Sequence, residues 1–347
     1  MNRIIIVLLT LAFSISFAQF DDSVSKKDEK NNLFIIIKDG KYGYIDNRGT
    51  IRINPDLDYS DSFSEGFARI KVRNKWGFID TTGKIIIEPE FDSVLSFSEA
   101  MAAIKVKDKW GYIDKTGNII VEPQYTNALP FCEGLAAVQF SGKFLFFNYN
   151  KGYGYINKIG EVVIEPSYNR ARSFSEGLAP VKILHKFLIF PINEEWYFIS
   201  KEGRLQGANN FDAIGQYSEG LARIAIDSKI GYINKVGEIV IEAQFIDASD
   251  FSQGLAAVKI DAKWGYIDTS GQLIIDTTFD HALDFSQGLA PIKIGSKWGY
   301  IDQSGELVIE VKYDIARQFS NGLASVKSEN TWAYINKSGE YIWKTGE

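Results

Sequence analysis

The sequence predicts an all-β fold of nine tandem three-stranded meanders, and three observations predict it. A 34-residue period runs through the chain, each period holds three short β-type runs, and one turn glycine recurs in every copy. Aligned on the second residue of a Trp-Gly pair, the copies fall at Gly43, Gly77, Gly111, Gly154, Tyr197, Gly231, Gly265, Gly299 and Ala333. The spacing is 34 except for two steps of 43, which read as insertions that leave the register intact.

The third copy shows the elements in order. Ala102-Ala103-Ile104-Lys105-Val106 alternates with β-branched content, Trp110-Gly111-Tyr112-Ile113 is aromatic and apolar, and Ile119-Ile120-Val121 is β-branched. Runs of four to six residues bounded by turn residues suit strands and are too short for a helix of about ten or more. Asp108-Lys109 turns between the first two. Asp114-Lys115-Thr116-Gly117 turns between the next two, and its glycine recurs as Gly49, Gly83, Gly160, Gly203, Gly237, Gly271, Gly305 and Gly339. Pro123, like Pro89 and Pro166, lacks a donor and is expected to stop the third strand. A connector through Phe131-Cys132-Glu133-Gly134 leads onward, its glycine expected at positive φ and Ala100 its strained exception. The mid-strand glycine of each Trp-Gly pair is expected to let the ring of one copy pack over the bare backbone of its neighbour. With each meander complete and no strand shared between the ends, an open, solenoid-like array is expected; a closed β-propeller is the alternative.

The runs KWGFID (75–80), KWGYID (109–114, 263–268 and 297–302) and FSEGLA (174–179), with IIEP between, resemble the WG repeat, also called the KWG repeat. The resemblance covers about residues 33–347 and is specific because the motif recurs in order and register. It implies a β-rich repeat of bacterial, often exported, proteins with no assigned activity, so no catalytic residues carry over. Tyr42, Tyr153 and Ile230 depart from the Trp, and Tyr197 and Ala333 from the Gly.

Residues 1–18 read as a secretory signal peptide: Arg3 supplies the positive start, Ile4 to Phe17 the apolar region, and Ser16 and Ala18 the small residues before Gln19. The apolar stretch is short for a membrane span of about 20 residues. Residues 19–32 are polar and charged, a spacer expected to be disordered, and the array occupies 33–347. The protein is thus expected to be periplasmic or extracellular, with no stable membrane span once the signal is cut.

Loss of Arg3 leaves 37 basic residues against 44 acidic ones, a net charge of −7, which speaks against nucleic acid or an anionic membrane as partner. Lys41, Lys75, Lys109, Lys229, Lys263 and Lys297 precede the aromatic and read as solubilising edge lysines. Cys132, the single cysteine, stands where other copies have Ser and reads as a small filler. His185 and His281 occupy different copies and positions, short of the three or four converging ligands of a zinc site. Glu65, Glu99, Glu133, Glu176 and Glu219 share one position with Gln253, Gln287 and Asn321. A glycosidase needs two carboxyls in different environments, whereas this position offers one repeated group or an amide, as a turn would. Neither a cofactor nor an enzymatic activity is expected.

The remaining irregularity is the pair of nine-residue insertions between the first and second strands of copies four and five. They carry Phe144, Leu145, Phe146, Phe147 and Tyr149, then Phe187, Leu188, Ile189 and Phe190, with Trp196 beside the second. Insertions in repeat arrays map to one face, often the binding face, so these residues are the candidate contact site. The expected role is a non-catalytic scaffold for a partner protein; a glycan or cell-wall binding module is the alternative.

Overall fold

The computed structural model describes residues 32–346 apart from 145, 146, 188, 189 and 207–210, and gives backbone only at 143, 144, 147–150, 186, 187 and 190–193. The predicted signal peptide and all but the last residue of the predicted spacer lie outside the described residues. Every described element is a strand or turn, and the strands form nine small antiparallel sheets.

In the third unit Met101–Val106, Lys109–Asp114 and Ile119–Tyr125 form the predicted meander. Its second turn closes as expected, with Asp114 Oδ1 accepting the backbone N–H groups of Thr116 and Asn118 at 2.9 and 3.0 Å while Gly117 sits at φ 88°. Pro123, however, does not end the third strand. Tyr112 pairs with Val121 and Trp110 with Tyr125, so Gly111 alone faces three residues of a bulged strand that runs through the proline. This bulge corrects the reason for the Trp-Gly pair. A Cβ on Gly111 would lie 2.3 Å from the Val121 carbonyl oxygen and 2.7 Å from the Pro123 nitrogen. The close approach is made by the third strand of the same sheet, not by a neighbour's ring.

A second addition is a short fourth strand. After Phe91 the chain steps through Asp92 into Ser93–Val94, which pairs with Met101–Val106 of the next unit, Ser93 opposite Lys105 and Val94 opposite Ile104. Comparable segments precede every later first strand, as Asn127–Ala128, Arg170–Ala171, Ala213–Ser218, Asp247–Ala248, His281–Ala282 and Ile315–Ala316. Each unit thereby hands its chain into the sheet of the next. The hairpin that follows is two residues long: Ser98 and Met101 exchange both backbone hydrogen bonds, with Glu99 at φ 54° and Ala100 at φ 67°. Two consecutive left-handed residues make the primed turn that suits a twisted hairpin.

Burial across a sheet is graded. Met101 to Ile104 are buried on both faces, whereas Ile119 and Ile120 at the start of the third strand are exposed. Rings from successive units meet in the interfaces, as in Tyr112–Phe131 and Tyr266–Phe285, with centroids 4.8 Å apart. Eight buried apolar clusters join consecutive units in this way. A ninth joins the last unit to the first, where Phe34, Ile36 and Ile45 meet Leu323, Tyr334, Ile342 and Trp343. Phe34 and Tyr334 have ring centroids 5.3 Å apart, and the Tyr334 hydroxyl donates to the Ile35 carbonyl at 2.9 Å. The array is therefore a closed, nine-bladed β-propeller, the alternative left by the sequence, and not an open stack. Closing buries two apolar faces that an open array would leave in water, and among the described residues the ninth interface is made without a shared strand, by side-chain packing and the Tyr334 hydroxyl bond.

Candidate interaction surface

The position read as a repeated turn glutamate does more than turn. Glu65 accepts the backbone N–H groups of Glu99 and Ala100 in the next connector at 2.6 and 2.9 Å, and Lys115 of the unit beyond meets its carboxylate at 3.0 Å. Burial opposes ionisation of Glu65, but the Ala100 N–H and Lys115 outweigh it and hold the carboxyl below its ordinary 4.5. Glu99, Glu133 and Glu176 repeat the clamp on Gly134, Gly177 and Gly220, with Lys158, Lys201 and Lys235 as cations. Gln253 and Gln287 make the same bond to Gly288 and Gly322 through an amide oxygen, 2.9 and 2.8 Å, so hydrogen bonding is what the position supplies. Beside each of these clamps except that of Glu133 a serine hydroxyl, such as that of Ser98, donates to a carbonyl of the next connector, here Phe131 at 2.6 Å. Cys132 takes a serine's place half-buried, its thiol pushed up by burial.

Five of the six edge lysines are also engaged. Lys75, Lys263 and Lys297 pair with Asp92, Asp280 and Asp314 at 2.7, 2.6 and 2.5 Å, Lys41 pairs with Asp58, and Lys109 donates to Ser141. Asp92, Asp280 and Asp314 open the next connector and hold an N–H of the following hairpin as well, as Asp92 holds that of Lys107 at 2.6 Å. His281 lies between Trp264 and Trp298, with ring centroids 5.1 and 5.4 Å away. No group of His, Cys, Asp or Glu suited to holding a metal occurs among the described residues, and no described helix is long and apolar enough to cross a membrane. A cavity of about 370 Å³ between the last two units is lined by Lys297, Lys312, Tyr341 and Lys344. Two of its cations are already committed, Lys297 to Asp314 and Lys344 to the Tyr341 ring at 4.2 Å.

The insertions fall where the sequence places them. They lengthen the first hairpins of consecutive units, pairing Ala136–Phe144 with Phe147–Ile156 and Leu178–Phe187 with Phe190–Ser200. Phe144 pairs with Phe147 and Phe187 with Phe190 at the hairpin ends, and Tyr149 pairs with Gly142. Leu145, Phe146, Leu188 and Ile189 lie outside the described residues. Trp196 is different: it is 6% exposed, in the core between units five and six, with Arg172 and Lys182 over its ring at 5.3 and 5.7 Å. Its indole is spent on the interface and is not presented to a partner.

Sequence reasoning missed a polar cluster at the base of the second hairpin. His185 Nε2 lies 3.2 Å from Glu195, the Tyr197 hydroxyl donates to the same carboxylate, and Lys182 pairs with Glu194 at 2.6 Å. The hydrogen bond to Glu195 pushes the Tyr197 hydroxyl up from its ordinary value. The available signal was Tyr197 itself, a phenol in the place of the Trp-Gly glycine.

The family model for the WG containing repeat matches seven times, at residues 42–76, 76–110, 110–144, 153–184, 230–264, 264–298 and 298–332. The chain belongs to the WG containing repeat family. The matches span well over half of this WG repeat protein and skip the stretch around Tyr197, where the motif glycine is lost. No curated protein matches it. Among solved structures it is similar to apo AztD from Citrobacter koseri, at 12% identity and TM-score 0.43 over 90% of this chain and 94% of that one. It is also similar to the dihydro-heme d1 dehydrogenase NirN in complex with DHE, at 10% identity and TM-score 0.46 over 93% and 74%. Hsv2 from Kluyvelomyces marxianus matches at 10% identity and TM-score 0.37 over 59% and 73%. Likenesses this distant carry nothing about what this WG repeat protein binds.

Proposed function

We propose that this WG repeat protein is an exported, non-catalytic scaffold that holds a partner protein on the two lengthened hairpins of units four and five. The observation that carries the reading is the placement of those hairpins: consecutive units extend the same hairpin by the same length, with Lys-Phe-Leu at the head of each insertion. Elsewhere the repeated connector glutamates, the turn aspartates and five of the six edge lysines are committed to clamps, turns and ion pairs of the ring. Adjacent apolar hairpins projecting beyond a repeat core are what a contact site requires. Export rests on the N-terminal charge and apolar pattern, and N-terminal sequencing of the protein recovered outside the cytoplasm is expected to start at Gln19.

The test is capture from envelope extracts and culture fluid by the intact chain beside a chain with both insertions trimmed to the 34-residue pattern. One protein retained by the intact chain and lost by the trimmed ring supports the reading. Equal retention moves the site to the regular face, and retention of polysaccharide in place of protein favours a glycan-binding role.

A further inference from the structure

The second turn of each unit has one variable place, the residue before its glycine. Five units put a hydroxyl there that closes the turn: Thr82, Thr116, Ser270 and Ser304 donate to Asp80, Asp114, Asp268 and Asp302 at 2.6 Å, and Ser338 to Asn336 at 2.8 Å. Glu202 of unit five accepts from Ser200 at 2.7 Å and is tied to its turn as well. Units four and six put Ile159 and Val236 in that place. Their turns still close, with Asn157 and Asn234 accepting the N–H groups of Ile159 and Val236 at 3.2 and 3.1 Å, but the hydroxyl bond is given up for an apolar tip.

Ile159 and Val236 are 69% and 76% exposed, more than any other large apolar side chain among the described residues. A single exposed apolar residue is ordinary on a protein surface. Here each tip runs on into two more, exposed Val162 and Val163 in unit four and exposed Ile239 and Val240 in unit six. The same strip is thus built twice, on either side of unit five, and packing within the ring leaves it in water. Grouped apolar exposure of this kind marks a contact with another molecule. Charge selects that molecule. Exposed Glu161 and Glu165 flank one strip, exposed Glu238 and Glu242 the other, and exposed Glu202 stands in the corresponding turn of unit five. Of the nearby cations, Lys158, Lys201 and Lys235 are tied to Glu99, Glu133 and Glu176, which leaves Arg204 beside Glu202. Apolar strips framed in acid are unsuited to an anionic lipid surface, and equally to the same strips on a second copy, where glutamate would meet glutamate.

We infer that the second turns of units four and six form a docking surface for a protein segment whose apolar side chains are flanked by Lys or Arg. Ile159 and Val236 supply the apolar contacts at the tips, and Glu161 and Glu238 meet the flanking cations. The surface is separate from the lengthened hairpins. Strand Phe147–Ile156 starts in the insertion of unit four and ends at the turn that carries Ile159, so the two surfaces lie at opposite ends of that strand.

Fluorescence anisotropy on the chain from Gln19 to Glu347 tests this, with a labelled synthetic peptide of alternating Leu and Lys as probe and its Leu-Glu counterpart as control. The variant Ile159→Ser with Val236→Ser places beside Asn157 and Asn234 the hydroxyl that Ser338 places beside Asn336, so it is expected to unfold no earlier than the parent. The parent is expected to bind the Leu-Lys peptide roughly tenfold more tightly than this variant does, and to leave the Leu-Glu peptide unbound. Glu161→Gln with Glu238→Gln is expected to weaken binding and to flatten its salt dependence. A chain with both insertions trimmed is expected to bind as the parent does, which keeps this result apart from any outcome at the lengthened hairpins. Equal affinity of parent and serine variant overturns the inference, as does a parent that binds neither peptide or both alike. Flotation with phosphatidylglycerol vesicles that the serine variant loses assigns the tips to lipid and overturns it too.

Discussion

At the scale of single residues, two backbone demands govern the repeat, and they differ in how far the sequence disclosed them. The left-handed position held by glycine in other connectors falls to Ala100 at φ 67°, and nothing lies within 4 Å of a Cβ at Gly134 or Gly177, so conformation alone selects glycine there. Ala100→Gly is expected to stabilise the protein by about 1 kcal/mol in denaturant titration. Gly111 obeys a different demand, a carbonyl 2.3 Å from any Cβ, and Gly111→Ala is expected to destabilise by roughly 3 kcal/mol because both strands of the bulge must move. A recurrent glycine in a strand announced a close approach; it did not name what approaches, because the bulge arises from pairing that no local pattern encodes. Asn321 at φ 51°, in the place of Glu65, was the legible sign that the preceding residue is left-handed as well, since asparagine tolerates that region best after glycine.

At the scale of elements, the three long strands were readable from alternation and turn residues, and the fourth was not. Two residues such as Ser93–Val94 are too few to show a period, and their pairing is visible only once the next unit is in place. The same limit hid the clamp: Glu65 and Lys115 are 50 residues apart, and a repeated glutamate with amide alternates reads as turn chemistry until its partners are seen. The clamp predicts a pH dependence. Glu65 has a folded value lowered from 4.5, so its contribution is fully present above that value and is lost as pH falls through the lower folded value. Midpoints of thermal unfolding are therefore expected to fall below about pH 4.5, and Glu65→Gln, which keeps the acceptor as Gln253 does, to flatten part of that fall. Equal slopes for variant and parent would remove Glu65 from the account. Trimming the two hairpins of units four and five, by contrast, is expected to leave the ring's unfolding cooperative and change its midpoint little.

At the scale of the whole molecule, period, unit count and all-β class were legible, and closure was not. Each interface is local and nearly the same from unit to unit, so whether nine of them meet depends on a small rotation summed around the ring, which no single copy reveals. What decides it is the ninth interface, where Phe34, Ile36 and Ile45 bury against Leu323, Tyr334, Ile342 and Trp343. Tyr334→Phe removes the hydroxyl bond to Ile35 there and is expected to lower stability by about 1 kcal/mol. The central claim is closure itself, and small-angle X-ray scattering on the chain from Asn32 tests it most directly. A closed ring of this length predicts a radius of gyration of roughly 20 Å. An open stack of nine sheets spaced about 10 Å apart would be elongated, with a radius of gyration near 30 Å on the same order-of-magnitude footing, and that value in a monomer would contradict the ring.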